Sequence, residues 1–99
     1  MENSETFLTI FEYSLDVSVL AREGLAKLKK SEPKAFAKAS ELLSELIKHP
    51  RTGAGKPEYC KYERKWSRRI TRKHRLIYVI DDVKVIVSVV SAYGHYNDK

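Results

Sequence analysis

Cysteine is almost missing from this chain of 99 residues. The one present, Cys60, has no partner for an internal disulfide, so a disulfide-stapled scaffold is excluded and a reducing cytosol is compatible. Three scattered histidines and that single cysteine give no zinc-ligand spacing, and no metal is expected. Long apolar runs are lacking too. The densest, Val85 to Val90, is interrupted by Ser88 and falls far short of the roughly 20 residues a membrane helix needs. The first five residues, Met1-Glu2-Asn3-Ser4-Glu5, are acidic and do not resemble the cationic start of a secretion signal, so a cytoplasmic location and no membrane partner are expected. Repeats and low-complexity tracts are absent. What remains is 42% hydrophobic and 32% charged, the balance of a folded globular chain. The length suits one domain, 1–99. A core of this size hides roughly 60–65% of the unfolded surface, and a second core does not fit.

Charge is plentiful and unevenly placed. The net charge is +6, yet between Arg51 and Arg75 ten basic residues face only two acids, Glu58 and Glu63. The rest of the chain carries slightly more acid than base. A positive field concentrated in 25 residues draws polyanions to one face and makes their binding salt-sensitive, whereas scattered lysines would only solubilise a surface.

The pattern of apolar residues predicts an α+β fold. Residues 1–10 read as a polar N-terminal extension. Phe11, Tyr13, Leu15 and Val17 alternate with polar neighbours, as in a strand with one buried face. Ser18 is placed to cap a helix over about 19–30, with Ala21, Leu25 and Leu28 inward and Gly24 weakening it. Ser31-Glu32-Pro33 predicts a second start, with Ser31 as the capping hydroxyl and proline where its missing N–H costs nothing. That helix runs to about residue 48, burying Phe36, Ala39, Leu43, Leu46 and Ile47, and His49-Pro50 ends it. Residues 51–57 hold Gly53, Gly55 and Pro57 and read as a loop. Four strand signals follow, at 59–62, 66–71, 76–80 and 83–93, with Arg72-Lys73 and Asp81-Asp82 as polar turns. The order predicts a helical hairpin packed on one face of a mainly antiparallel sheet.

Three features carry chemistry. Glu58 follows Gly55-Lys56-Pro57 amid the basic block, where surrounding cations hold a carboxylate ionised, ready to act as a base or an ion-pair partner. Alternation puts Trp66, Arg68 and Ile70 on one strand face and Ser67, Arg69 and Thr71 on the other, so one of the two arginines lines the face the helices leave open. Arg75 begins the next strand. A three-residue turn would set it opposite Arg69, and a two-residue turn would set it opposite Ile70. Gly94-His95-Tyr96 leaves the sheet where a histidine can be exposed. A carboxylate, arginines and a histidine suit metal-independent RNA cleavage, since RNA brings its own 2′-OH nucleophile and needs a base, a cation and an acid. Equally, each can be bland: a salt-bridged Glu58, sheet-surface arginines and a solvent-facing His95. Trp66 can stack on a base or plug the core. Cys60 reads as a small buried residue, and Asp81-Asp82 as a turn rather than a metal pair.

Gly55-Lys56-Pro57-Glu58, Trp66-Ser67-Arg68-Arg69-Ile70, His74-Arg75-Leu76-Ile77-Tyr78 and the closing His95-Tyr96 together resemble the YoeB (Txe) toxins of type II toxin–antitoxin pairs, in the RelE superfamily. The likeness spans roughly Tyr13 to Tyr96 and is densest over 55–78. It implies a RelE-like two-layer fold of order β-α-α-β-β-β(-β) and a ribosome-dependent mRNA interferase that cuts mRNA in the A site and inhibits translation. By the same resemblance Glu58 is the general base, Arg75 the phosphate-charge stabiliser, His95 the general acid and Tyr96 a substrate-positioning group. Lys61 and Arg69 fall at RNA-backbone positions, and Lys56, Arg68 and Trp66 complete the expected RNA-binding set. No cofactor is implied. The implied partners are a YefM-like antitoxin, the ribosome with its mRNA, operator DNA reached through the antitoxin, and a second copy of the chain in a homodimer. The sequence departs from the family in Gly94, which would loosen the tether of His95, and in the short tail Asn97-Asp98-Lys99, which adds a negative charge. A second class of function stays open: a catalytically idle basic module that holds antitoxin, RNA or operator DNA and needs the cations but not Glu58 or His95.

Overall fold

The structure, a computed structural model, describes residues 12–94. Phe11 and the 1–10 extension, His95, Tyr96 and the 97–99 tail lie outside the described residues.

Strand β1 (Ser14–Val17) leads directly into helix α1 (Val19–Ser31). Ser18 makes that switch. Its hydroxyl accepts from the Ala21 N–H at 3.0 Å and donates to the Val90 carbonyl at 2.8 Å, so one side chain caps the helix and ties it to the sheet. Ala21 and Leu28 are buried as expected, and Leu25 is half-buried. Gly24 does more than weaken the helix. A Cβ there would stand 2.9 Å from the Tyr93 Cβ, so its bareness lets α1 lie against the chain at Ala92-Tyr93.

Helix α2 (Pro33–Lys48) has the expected bounds, but its cap is Glu32, one residue after the expected Ser31. Ser31 is the last residue of α1. Glu32 is the junction, with non-helical φ −139° and ψ 72°, and makes no side-chain cap bond. Proline is the physical reason: it forces the residue before it out of the helical region, and that residue is Glu32. The freed Glu32 carboxylate reaches His74 instead. The buried line of α2 is Ala35, Ala39, Leu42 and Leu46, rotated from the expected stripe, with Phe36 and Leu43 half-buried at its flanks. Alanine at 35 and 39 permits a close approach to the neighbouring layer, and the larger flanking side chains close its sides.

Strands β2 (Glu58–Cys60), β3 (Lys65–Arg69), β4 (Arg75–Asp81) and β5 (Ile86–Ser91) complete a five-stranded sheet of order β1-β5-β4-β3-β2. Every neighbouring pair is antiparallel except β1 with β5, which is parallel, so the sheet is mixed. The strand boundaries moved by one to three residues, and two of the shifts have a clear cause. The expected long last strand starts at Ile86 rather than at Val83, because the Asp81 carboxylate accepts from the Lys84 N–H at 2.9 Å and folds 82–85 into a turn. Thr71 leaves β3, since its N–H and that of Ile70 both bond the His74 carbonyl.

One face of the sheet is covered by the two helices. Leu76, Tyr78, Val87 and Val89 meet Ala21, Leu28, Ala39, Leu42 and Leu46 there, with Leu15, Val17, Trp66 and Ile80 at the margins. Each fully buried aliphatic side chain contributes about 1.5–3 kcal/mol. At one end, Asp82 accepts from the Tyr13 hydroxyl and from Arg51, both at 2.6 Å, pinning β1, the 51–57 loop and the β4–β5 turn together. The Tyr13 hydroxyl, then Arg51, holds the Asp82 carboxyl below its usual range.

Candidate active site

The ladder sets Glu58 opposite Ser67, and Arg69 opposite Arg75. Cross-strand partners share a face and neighbours alternate, so Glu58, Ser67, Arg69, Arg75 and Ile77 lie on the face away from the helices. Tyr59, Trp66, Arg68, Leu76 and Tyr78 lie on the covered one. The register thus settles the question the sequence left open: Arg69 and Arg75 stand side by side.

Glu58 opens β2, an edge strand, and its carboxylate is two-thirds exposed at 66%. The Arg75 Nη1 lies 3.8 Å from Glu58 Oε1 and donates to the Ser67 hydroxyl at 3.1 Å. Only 21% of the Arg75 side chain is exposed, so its guanidinium is held rather than free-swinging. The loop that delivers Glu58 is anchored as well. Gly55 has φ +81°, and its carbonyl accepts from the Arg69 N–H at 2.7 Å. A Cβ at Gly55 would press on the Arg69 carbonyl at 3.0 Å and the Arg68 Cβ at 3.2 Å, so only glycine fits there.

The far end of the chain returns to the same place. The Arg75 N–H donates to the Gly94 carbonyl at 3.0 Å, and the Gly94 N–H donates to His74 Nδ1 at 2.9 Å. Gly94 has φ +80° and sits in open space. Both its backbone groups are bonded and its left-handed turn suits glycine, while the expected loosening of the His95 tether falls outside the described residues.

Arg68 is the largest correction. It was expected to contact RNA, and it is fully buried. All five of its N–H donors are used: Nε on the Tyr78 hydroxyl, Nη1 on Glu45 and the Ala54 carbonyl, and Nη2 on the carbonyls of His49 and Thr52. It staples β3 to α2 and to the loop ahead of Glu58. Arg69, its neighbour, is exposed on the open face. Lys56 and Lys61 are exposed as an RNA contact needs, Lys56 in the loop and Lys61 in the β2–β3 turn. Trp66 packs as a core residue, the second of the two readings open for it. It stacks on Tyr78 with ring centres 6.4 Å apart, and it also borders an open groove of about 450 Å³ with Tyr59, Arg51 and Arg64. Cys60 is half-buried, not fully, because β2 is an edge strand. His95 and Tyr96 lie outside the described residues, so their expected roles carry no geometry here.

Sequence reasoning missed Ser67, Glu45 and the bonding of His74. No local signal marks Ser67 as the ligand of Arg75; only the register does. Among the described residues, no group of three or more His, Cys, Asp or Glu is arranged to hold a metal ion, and no helix is long and apolar enough to cross a membrane.

This geometry can be compared with known proteins. Residues 21–96 match the family model described as "YoeB-like toxin of bacterial type II toxin-antitoxin system". The chain belongs to that family. It is 35% identical to Toxin YoeB of Escherichia coli (strain K12) over 60 residues, 59% of this chain and 71% of that toxin. The Streptomyces coelicolor Toxin YoeB matches at 35% over 68 residues, 67% of this chain and 79% of that toxin. In three dimensions the YoeB/ParE toxin from Agrobacterium tumefaciens superposes with a TM-score of 0.77 at 26% identity, over 84% of this chain and 99% of that one. The Staphylococcus aureus toxin in the YoeB-YefM heterotetramer superposes at 0.71 with 31% identity, over 85% and 98%. The YoeB family sits within the RelE superfamily, and the two helices on a five-stranded mixed sheet are its fold. The family match runs through both sequence motifs of the site and the closing His95-Tyr96.

Proposed function

We propose that this chain is the toxin of a toxin–antitoxin pair and a metal-independent endoribonuclease that cuts mRNA in the ribosomal A site. One observation carries the reading. An exposed carboxylate and a braced guanidinium stand 3.8 Å apart on the uncovered sheet face, and the chain that continues into His95 is bonded to that arginine's own N–H. Glu58 takes the proton of the 2′-OH, and the oxygen attacks the adjacent phosphorus. Arg75, with Arg69 beside it, offsets the charge that builds on the phosphoryl oxygens. His95 gives a proton to the departing 5′-oxygen, and Tyr96 positions the substrate. The products are a 2′,3′-cyclic phosphate and a free 5′-OH. Each acid or base role is worth roughly 10²–10⁴ in rate. Lys56, Lys61 and Arg69 hold the RNA backbone.

The natural partner is a YefM-type antitoxin, as in the Staphylococcus aureus YoeB-YefM complex, with operator DNA reached through it. Pairing of two copies follows the Staphylococcus aureus YoeB dimer. Ribosomes and nascent antitoxin place the activity in the cytoplasm.

The test is a translation reaction on a defined mRNA, mapped by primer extension. The wild-type chain should give ribosome-dependent cuts at an A-site codon, and Glu58→Ala and His95→Ala should each lose them by 10²-fold or more. Intact mRNA with antitoxin binding retained would overturn the reading in favour of an idle binding module. Rapid cutting of naked RNA would point to a conventional ribonuclease.

A further inference from the structure

Glu58 and Arg75 stand on strands that do not touch, since β3 separates β2 from β4. Ser67 is the residue between them. It lies directly opposite Glu58 in the ladder, and two residues along β3 from Arg69, the partner of Arg75. Arg75 therefore crosses β3 on the diagonal, a span within reach of a long side chain, and its guanidinium meets Ser67 before the carboxylate. There Nη1 donates to the Ser67 hydroxyl at 3.1 Å and stops 3.8 Å from Glu58 Oε1. Charge alone would close that gap. Ion-paired N–H groups approach a carboxylate to about 2.7–2.9 Å, whereas 3.8 Å is too long for a hydrogen bond. Arg69, a like charge directly across from Arg75, favours the closure as well. Among the described residues Ser67 is the one hydrogen-bond acceptor that the Arg75 guanidinium meets, so its hydroxyl is what holds the arginine short.

We infer that Ser67 is a positioning residue for the catalytic pair: its hydroxyl takes one Arg75 N–H and so keeps the arginine beside Glu58 without bonding it. This rests on the reading of Glu58 as the general base and Arg75 as the phosphate-charge stabiliser. A base must offer a free lone pair to the 2′-OH. A guanidinium bonded to that carboxylate would occupy the lone pair and favour the ionised form over the protonated form that the step must produce. The same bond would spend on Glu58 an N–H that the phosphoryl oxygens need. Held on Ser67, the guanidinium keeps its remaining donors for phosphate.

Ser67 is half-buried on the open sheet face, and three substitutions there separate positioning from packing. Ser67→Thr keeps the hydroxyl, Ser67→Ala removes it, and Ser67→Cys keeps the side-chain length but offers only a weak sulfur acceptor. At saturating ribosome–mRNA complex, Ser67→Ala and Ser67→Cys should cut on the order of 10- to 100-fold more slowly, with half-saturation unchanged, because misplacing a reacting group by about 1 Å can cost that much. Ser67→Thr should recover most of that loss. Packing alone would group threonine with cysteine, the two larger side chains, and not cysteine with alanine. Crystal structures add a readout that needs no activity. The Arg75–Glu58 gap should stay near 3.8 Å in the wild type and in Ser67→Thr, and close to about 2.9 Å in Ser67→Ala. Equal rates for wild type and Ser67→Ala, in a preparation where Glu58→Ala is dead, would overturn the inference and leave the nuclease reading standing. A Ser67→Ala crystal in which Arg75 keeps its distance or turns to solvent would overturn it too. A wild-type chain that cuts nothing would instead bring down the nuclease reading and this inference with it.

Discussion

Two adjacent arginines with the same charge do opposite jobs, and the pleat decides which does what. Arg68 points under the helices, where an isolated guanidinium would be prohibitively costly to bury. It survives there because five acceptors, including the Glu45 carboxylate, replace its water. Arg69 points out, across the ladder from Arg75, and is free to meet phosphate. Removing Arg68 leaves Glu45 partly buried without its partner and four other acceptors unanswered. Arg68→Ala should therefore cost about 3 kcal/mol or more, lowering the melting temperature by roughly 12 °C or more in a domain of this size. Arg69→Ala should stay within about 0.5 kcal/mol of wild type and lose RNA contact instead. Thermal melts of the two variants check this; equal destabilisation would mean that Arg68 is not the staple.

Strand β4 shows what an element can reveal before its structure is known. The alternation from Trp66 to Thr71 made clear that Arg68 and Arg69 face opposite ways, but not which face the helices cover, because that depends on the pairing with β4. Register likewise decided that Arg75 stands against Arg69, and a slip of one residue would have reversed every assignment. Helix order, the Ser18 cap, the 51–57 loop and Glu58 at a strand mouth were all legible, since each depends on a few local residues. Ser31 misled because two helix-start signals overlapped and proline outweighed the hydroxyl. Tyr78 was visible as a strand residue, but its role at the centre of β4 was not. Its hydroxyl accepts from Arg68 Nε at 3.1 Å and donates to the Pro50 carbonyl at 2.8 Å. Burial raises its pKa above the ordinary 10.0, with the Arg68 hydrogen bond opposing. The unfolded chain then loses this proton first as pH rises. The stabilisation is present in full below about pH 10 and fades as pH climbs through the raised folded value. Wild type should thus lose melting temperature more steeply above pH 10 than Tyr78→Phe, which starts less stable for want of two hydrogen bonds. Parallel slopes in melts taken across that range would show that Tyr78 is not the group responsible.

At the scale of the whole molecule, the two layers divide stability from chemistry. The helices and the covered sheet face hold the aliphatic core and consume Arg68, while the open face presents Arg69, Arg75 and Glu58 around one spot. The basic block of the sequence, Arg51 to Arg75, folds into the loop and the strands β2, β3 and the start of β4, so the net charge of +6 is carried by one end of the sheet rather than spread over the surface. Association with a polyanion then releases counterions chiefly from that end, and its salt dependence measures how many cations touch phosphate. Binding of a fluorescent single-stranded RNA, titrated at several salt concentrations, should weaken linearly in log–log form. Arg69→Ala should flatten the slope by roughly 0.7, the value for one phosphate contact on a single strand. Lys34→Ala, an exposed cation on α2 behind the sheet, should leave it unchanged. Both variants lower the total charge by the same amount, so equal slopes would mean that RNA senses only the overall charge. A difference confined to Arg69 would instead tie binding to the same sheet face that carries the carboxylate and Arg75.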